Sequence, residues 1–282
     1  MSGSNKTDTL SNRNYMFSNK VIIITGSTQG IGLKTAELLV RMGARLVINS
    51  RSQQKVEATL CYLKEITPYV IGIAGDVSNY EFCLELRKSA IRSFGRIDIL
   101  INNAGVASSG LMKDIVPDAF EKVVNINLLG SIYPTLACID EIRQRKGSIL
   151  FIASVAGIVG LPNYSAYAAT KRAIVSLAES LRSELTDDGV FVGINYPGFT
   201  ENEEQKTMIN AKGEEVLLQK RMGIKALSRE RIAEKIIEQL QKRKFRMYCS
   251  FSAKAVQLMY RIFPQLTLNI LRHYRMKISS MQ

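Results

Sequence analysis

Six short runs of aliphatic and β-branched residues recur between Lys20 and about Val192, and each of the first five is followed by a longer segment of helical period. The runs are "VIIITG", "RLVINS", "VIGIAGD", "IDILINNAG", "GSILFIAS" and "VFVGINYPG". They are apolar throughout instead of alternating, which indicates burial on both faces and therefore a parallel sheet covered by helices. The intervening helices are expected over Gly32–Met42, Lys55–Glu65, Tyr80–Phe94, Pro117–Glu141 and Tyr167–Leu185. The expected fold class is α/β, a doubly wound parallel sheet of Rossmann type.

The 282 residues suit one large domain with appendages, and 46% hydrophobic residues suffice for a full core. We expect a flexible segment over residues 1–18, a catalytic domain over 19–250 with a substrate loop at 199–226, and a helical extension over 251–282. The four cysteines show no paired or metal-type spacing, and the single histidine is His273. These features argue against a zinc site and a histidine-based nucleophile relay.

The net charge of +13 is uneven. Residues 1–204 carry 21 basic against 20 acidic residues, whereas residues 205–282 carry 17 against 5. An anionic ligand, a membrane surface or a merely solvated face would each account for it. No interleaving of aromatic and basic residues on a strand supports nucleic-acid binding. With no apolar core of signal-peptide length before Ser18 and no eighteen-residue apolar run, the expectation is a cytoplasmic chain, open to peripheral membrane contact.

The first apolar run ends in "TGSTQGIG", with glycines at 26, 30 and 32. Glycine allows the backbone to turn sharply and approach a pyrophosphate, whose charge meets N–H groups at the next helix start. The loop Gly26, Ser27, Thr28, Gln29, Gly30, Ile31, Gly32 is therefore a candidate dinucleotide site. The second run ends in Asn49, Ser50 and Arg51 where an NAD-selective site usually offers a carboxylate. A guanidinium suits a 2′-phosphate, so Ser50 and Arg51 point to NADPH/NADP+.

"YSAYAATK" places Tyr167 and Lys171 four residues apart, one helical turn, so phenol and ammonium project from nearly the same face. With "GDV" at Asp76, "NNAG" at 102–105, Asn127 in "NINLLG", Ser154 in "ASVAG" and "YPG" at 196–198, the chain resembles the single-domain short-chain dehydrogenases/reductases over about residues 18–200. The resemblance implies Asn127, Ser154, Tyr167 and Lys171 as the catalytic set. Tyr167 would be the proton donor and Ser154 the holder of substrate oxygen. Lys171 would bond the nicotinamide ribose, and Asn127 would fix a relay water. It further implies cofactor contacts at Asp76, Val77, Asn103, Ala104, Gly105, Pro197, Gly198 and Thr200. A free phenol of pKa ~10 is a poor proton shuttle at neutral pH, and a neighbouring ammonium favours the phenolate.

The tail beyond "YPG" resembles the extension of lipid- and steroid-directed members. The expected activity is NADPH-dependent reduction of a hydrophobic ketone, such as a 3-oxo-lipid, 3-ketosphinganine-like or steroid-like compound, by a homodimer or homotetramer. A 3-oxoacyl-carrier-protein reductase and a non-turning-over NADP sensor remain alternatives. Pro264 should split the amphipathic tail into two pieces.

Overall fold

The computed structural model describes residues 16–201, 206–218 and 226–279, with side chains to 273. Parts of the expected N-terminal segment (1–15) and substrate loop (202–205, 219–225), and residues 280–282, lie outside the described residues.

The six runs form strands β1 (Val21–Ile24), β2 (Arg45–Ser50), β3 (Val70–Ala74), β4 (Ile99–Asn102), β6 (Ser148–Ile152) and β7 (Phe191–Tyr196). A short edge strand, β10 (Arg246–Tyr248), joins them in a seven-stranded parallel sheet of order β10-β7-β6-β4-β1-β2-β3. Strand order reverses beside β1, so the crevice at the carboxyl ends of β1 and β4 is where such a sheet takes a ligand.

Alternation along β1 shows why these strands read as unbroken apolar runs. Ile22 and Ile24 enter one core with Leu39, Ile48 and Ile236. Ile23 enters the other, with Leu86, Cys138 and Ile174. Each face is covered, and each buried aliphatic side chain contributes roughly 1.5–3 kcal/mol.

The helices are α1 (Gly30–Arg41), α2 (Gln53–Lys64), α3 (Tyr80–Phe94), α4 (Pro117–Val124), α5 (Gly130–Gln144), α6 (Ser165–Glu184), α7 (Arg229–Lys242), α8 (Phe251–Ile262) and α9 (Pro264–Ser279). Side-chain oxygens of Ser52, Asn79, Ser228 and Ser250 cap α2, α3, α7 and α8. The helices α1, α4, α5 and α6 have no side-chain cap, and at α1 the N-cap residue is Gln29.

A π turn over Asn125–Leu129 joins α4 to α5. The resulting 28-residue stretch, Pro117–Gln144, is the one helical segment among the described residues long and apolar enough to cross a membrane. Much of it is buried, with Ala137, Cys138 and Ile142 in the sheet core.

The sequence reads as a loop over residues 199–226. Instead, β8 (Thr207–Ile209) and β9 (Glu215–Leu217) form an antiparallel hairpin, and β8 pairs with β5 (Ala107–Ser108) just beyond β4.

Candidate functional site

The glycine loop between β1 and α1 is shaped by backbone more than by side chains. Gly26 adopts φ +60°, and a Cβ there would lie 2.8 Å from the Ala104 Cα. At Gly32 a Cβ would meet Asn103 Nδ2 at 2.5 Å. Gly30, also at φ +60°, has open space on the side where a Cβ would stand. A left-handed turn, two close approaches and an open face beside an uncapped helix start fit a pyrophosphate.

The loop is stapled to the end of β4. Asn103 Nδ2 donates to Thr25 O (2.9 Å) and Gly26 O (2.8 Å), while Asn103 N and Ala104 N both donate to Thr25 Oγ1 at 3.0 Å. Ser27 is fully buried; its Oγ donates to Ile24 O and accepts from Asn49 N. Its hydroxyl thus joins β1 to β2, which leaves Thr28, Gln29 and Ile31 nearer the surface.

Beyond the end of β2, Arg51 and Asp76 line one cleft of about 300 Å³ with Ser78, Asp118, Glu121, Lys122 and Asn125. Asp76 Oδ1 accepts from the Ser78 N–H and hydroxyl, closing a turn that fixes its carboxylate. Ser50 Oγ accepts from Ser52 N, and Val77 is buried in the core. Two residues near this end were not anticipated. Lys55 sits one α2 turn beyond Arg51 with its Nζ 3.1 Å from Gln29 Oε1, and Glu215 Oε1 lies 3.7 Å from Arg51 Nη2.

The helix α6 carries Tyr167 on its first turn and Lys171 on its second. Lys171 is 4% exposed, its Nζ donates to Ile152 O (2.9 Å), and it stands 5.8 Å from the Tyr167 ring centroid. Burial, with the Lys206 charge in support, brings its ammonium down to about 8.

Ser154 stands two residues beyond the end of β6 and starts a 3₁₀ turn (Val155–Gly157), where its Oγ accepts from Ala156 N. A Cβ on Gly157 would lie 2.7 Å from Lys171 O, so this turn presses against α6. The segment carrying Ser154 is thereby held beside the helix carrying Tyr167 and Lys171.

Asn127 sits in the π turn and is fully buried. Its Oδ1 accepts from Val106 N (2.7 Å), and its Nδ2 donates to Val106 O (3.0 Å) and Thr170 Oγ1 (3.2 Å). A π turn re-aims a side chain that a regular helix would direct elsewhere. A Cβ on Gly105 would be 3.1 Å from Asn127 Oδ1 and 3.4 Å from Lys171 Nζ, so Gly105 is where the two meet.

Beyond β7, Pro197 is buried, Gly198 takes φ +79° against Ser250, and Thr200 bridges Leu227. Next to the start of α6 lies an apolar groove of about 420 Å³, lined by Leu111, Met112, Leu161, Pro162, Leu268 and Leu271 among others. The last two belong to α9, so the tail forms one wall of a groove beside the start of α6.

The short chain dehydrogenase family matches residues 20–213, and the chain belongs to it. It is an oxidoreductase of that family, acting on CH–OH donors and using a nicotinamide cofactor. An uncharacterized oxidoreductase of Thermotoga maritima is 31% identical over 219 residues, covering 76% of this chain and 86% of the relative. The 11-beta-hydroxysteroid dehydrogenase-like 4A of Arabidopsis thaliana is 38% identical, covering 65% of this chain and 62% of the relative. A 3-ketodihydrosphingosine reductase of Mus musculus is 35% identical, covering 66% and 59%. The chain thus spans about three fifths of the latter two relatives. A short-chain dehydrogenase/reductase from Burkholderia phymatum in complex with NAD superposes with a TM-score of 0.77 at 24% identity, over 89% of this chain and 95% of its own. An alcohol dehydrogenase from Thermococcus sibiricus complexed with 5-hydroxy-NADP gives 0.71 at 25% identity, over 81% and 95%.

Proposed function

We propose that this chain is an NADPH-dependent reductase that turns a long, hydrophobic ketone into a secondary alcohol at a membrane surface. The observation that carries the catalytic reading is the buried Lys171 ammonium one turn from Tyr167, with Ser154 held against the same helix.

The bound cofactor would supply hydride to the carbonyl carbon. Charge then builds on the carbonyl oxygen, and the chain's own groups meet it. Ser154 Oγ donates to that oxygen, and the Tyr167 hydroxyl delivers the proton. An ammonium beside the phenol stabilises the phenolate left behind, which is the work assigned to Lys171. Asn127 holds β5 through Val106 and so fixes the floor under Gly105, where its amide and the Lys171 Nζ converge. Gly26, Gly30 and Gly32 would hold the pyrophosphate, Asp76 the adenine, and Arg51 the 2′-phosphate.

The hydrophobic substrate is supported by the apolar groove between the segment after Ser154 and α9. Relatives named for ketosphingosine and hydroxysteroid chemistry point the same way. The membrane is supported by the tail. Leu258, Ile262, Phe263 and Leu266 are exposed beside Lys254 and Arg261, and residues 251–282 contain no acid. An apolar face edged with cations suits an anionic bilayer.

NADPH oxidation followed with ketones of increasing chain length tests this reading. Turnover should rise with chain length, and Tyr167→Phe should lower it by ~10²-fold or more while the cofactor still binds. Because the Lys171 ammonium is lost as pH rises through about 8, reduction should slow across that range. Activity of Tyr167→Phe within a few-fold of wild type would assign the proton to another group.

A further inference from the structure

The end of β2 lacks the carboxylate that would receive a ribose hydroxyl, and Asn49 cannot substitute for it. That residue is 2% exposed, its Oδ1 is turned to Gly26 N (3.5 Å), and its Nδ2 donates to Ile73 O (3.1 Å) and Gly75 O (3.2 Å). The hairpin β8–β9 brings a carboxylate to the same place from far along the chain. Glu215 Oε1 lies 3.7 Å from Arg51 Nη2, and Glu215 Oε2 accepts from Thr207 Oγ1 at 3.3 Å.

The carrier of this carboxylate is braced. Val116 N donates to Ala211 O (2.9 Å), Lys122 Nζ reaches Gly213 O (3.4 Å), and a Cβ on Gly213 would rest on Ala119. One face of the hairpin is fixed through β8 on β5, and its turn is fixed on α4. Glu215 is therefore a positioned group beside Arg51, which lines the cleft together with Asp76, Asp118, Glu121 and Lys122.

We propose that Glu215 sets the choice between the 2′-phosphorylated and the 2′-hydroxyl form of the cofactor, an inference that rests on reading Arg51 as the phosphate-binding cation. A 2′-phosphate must take Arg51 from Glu215 and then sit beside a like charge, which weakens NADPH. A ribose 2′-hydroxyl instead finds an acceptor whose charge Arg51 already balances, which favours NADH. The chain thus carries both halves of a selectivity element on segments remote in sequence, and its preference is the balance between them.

Isothermal titration of the full chain with NADPH and with NADH, without substrate, tests this. Glu215→Gln should tighten NADPH by about two- to five-fold, the range a half-exposed charge pair supports, and weaken NADH by a similar factor. Glu215→Lys should move the ratio further in the same direction. Thr207→Val, which keeps both charges but frees the carboxylate, should move it less. A ratio of affinities within about two-fold of wild type in both Glu215 variants would overturn the inference. So would weaker NADPH binding in Glu215→Gln, since Glu215 would then be orienting Arg51 for the phosphate. Failure of the wild type to bind either nucleotide would instead remove the cofactor reading, and this inference with it.

Discussion

Two basic, amphipathic stretches follow the hairpin, and they read alike until their surroundings are known. The first, α7, buries Ile232, Ala233, Ile236, Ile237 and Leu240, packs on α1, and ties its cations to acids. Glu238 alone receives Lys235 (2.7 Å), Lys242 (2.8 Å) and Lys244 (3.4 Å). Lys34 of α1 reaches across to Glu230, and Arg246 pairs with Glu179.

The second stretch, α8 and α9, is anchored at few points among its described side chains. Ala253 and Thr267 are buried, and Val256 and Tyr260 lean on the sheet core. Phe251 is 87% exposed, and Leu258, Ile262, Phe263 and Leu266 are each more than half exposed. Hydrophobic period establishes that a segment is a helix with an apolar side. What that side touches is decided by the rest of the molecule.

The largest effect should come from trimming the same residue type in each helix. Ile236→Ala removes a fully enclosed side chain and should cost ~2–5 kcal/mol in denaturant unfolding. Ile262→Ala should stay within ~0.5 kcal/mol, as surface changes do. Equal losses would mean that the tail's face is covered after all.

A second measurement asks what the uncovered face is for. Replacing Ile262, Phe263 and Leu266 together with serine should leave thermal stability close to wild type and abolish co-sedimentation with anionic vesicles. Wild type should bind those vesicles at low salt and release them as salt rises, because each surface cation adds ~1 kcal/mol that is screened. Equal indifference of wild type to anionic and neutral vesicles would end the membrane proposal.

This contrast also shows what the sequence made legible. Buried runs announce the sheet because both faces of each strand are covered, as the opposite directions of Ile23 and its neighbours demonstrate. Local chemistry announces the glycine loop and the Tyr167–Lys171 pair, whose partners lie within one turn. The hairpin was not legible: β8 and β9 have three residues each, too few to show a period, and β8 finds its partner β5 about a hundred residues earlier. Glu215 and its pairing with Arg51 were hidden for the same reason. Asn127 could be singled out only by resemblance, since the π turn that aims it at Val106 has no period of its own.

The smallest effect concerns how the two stretches carry their charge. Lys235 and Lys242 of α7, with Lys244 just beyond it, hold the Glu238 carboxyl down to about 2, the first two being the leading causes. A carboxylate whose folded pKa lies below its unfolded value, here about 2 against 4.5, stabilises the fold above pH 4.5. That contribution fades as pH falls towards 2. The site is close to solvent, so Glu238→Gln should cost under ~1 kcal/mol at pH 7 and less in high salt. Measured against pH, the difference from wild type should shrink below pH 4.5 and vanish near 2. A difference that persists undiminished at pH 2 would mean that Glu238 acts by packing. Paired cations would then no longer set α7 apart from the tail, whose lysines and arginines have no acid in their own segment.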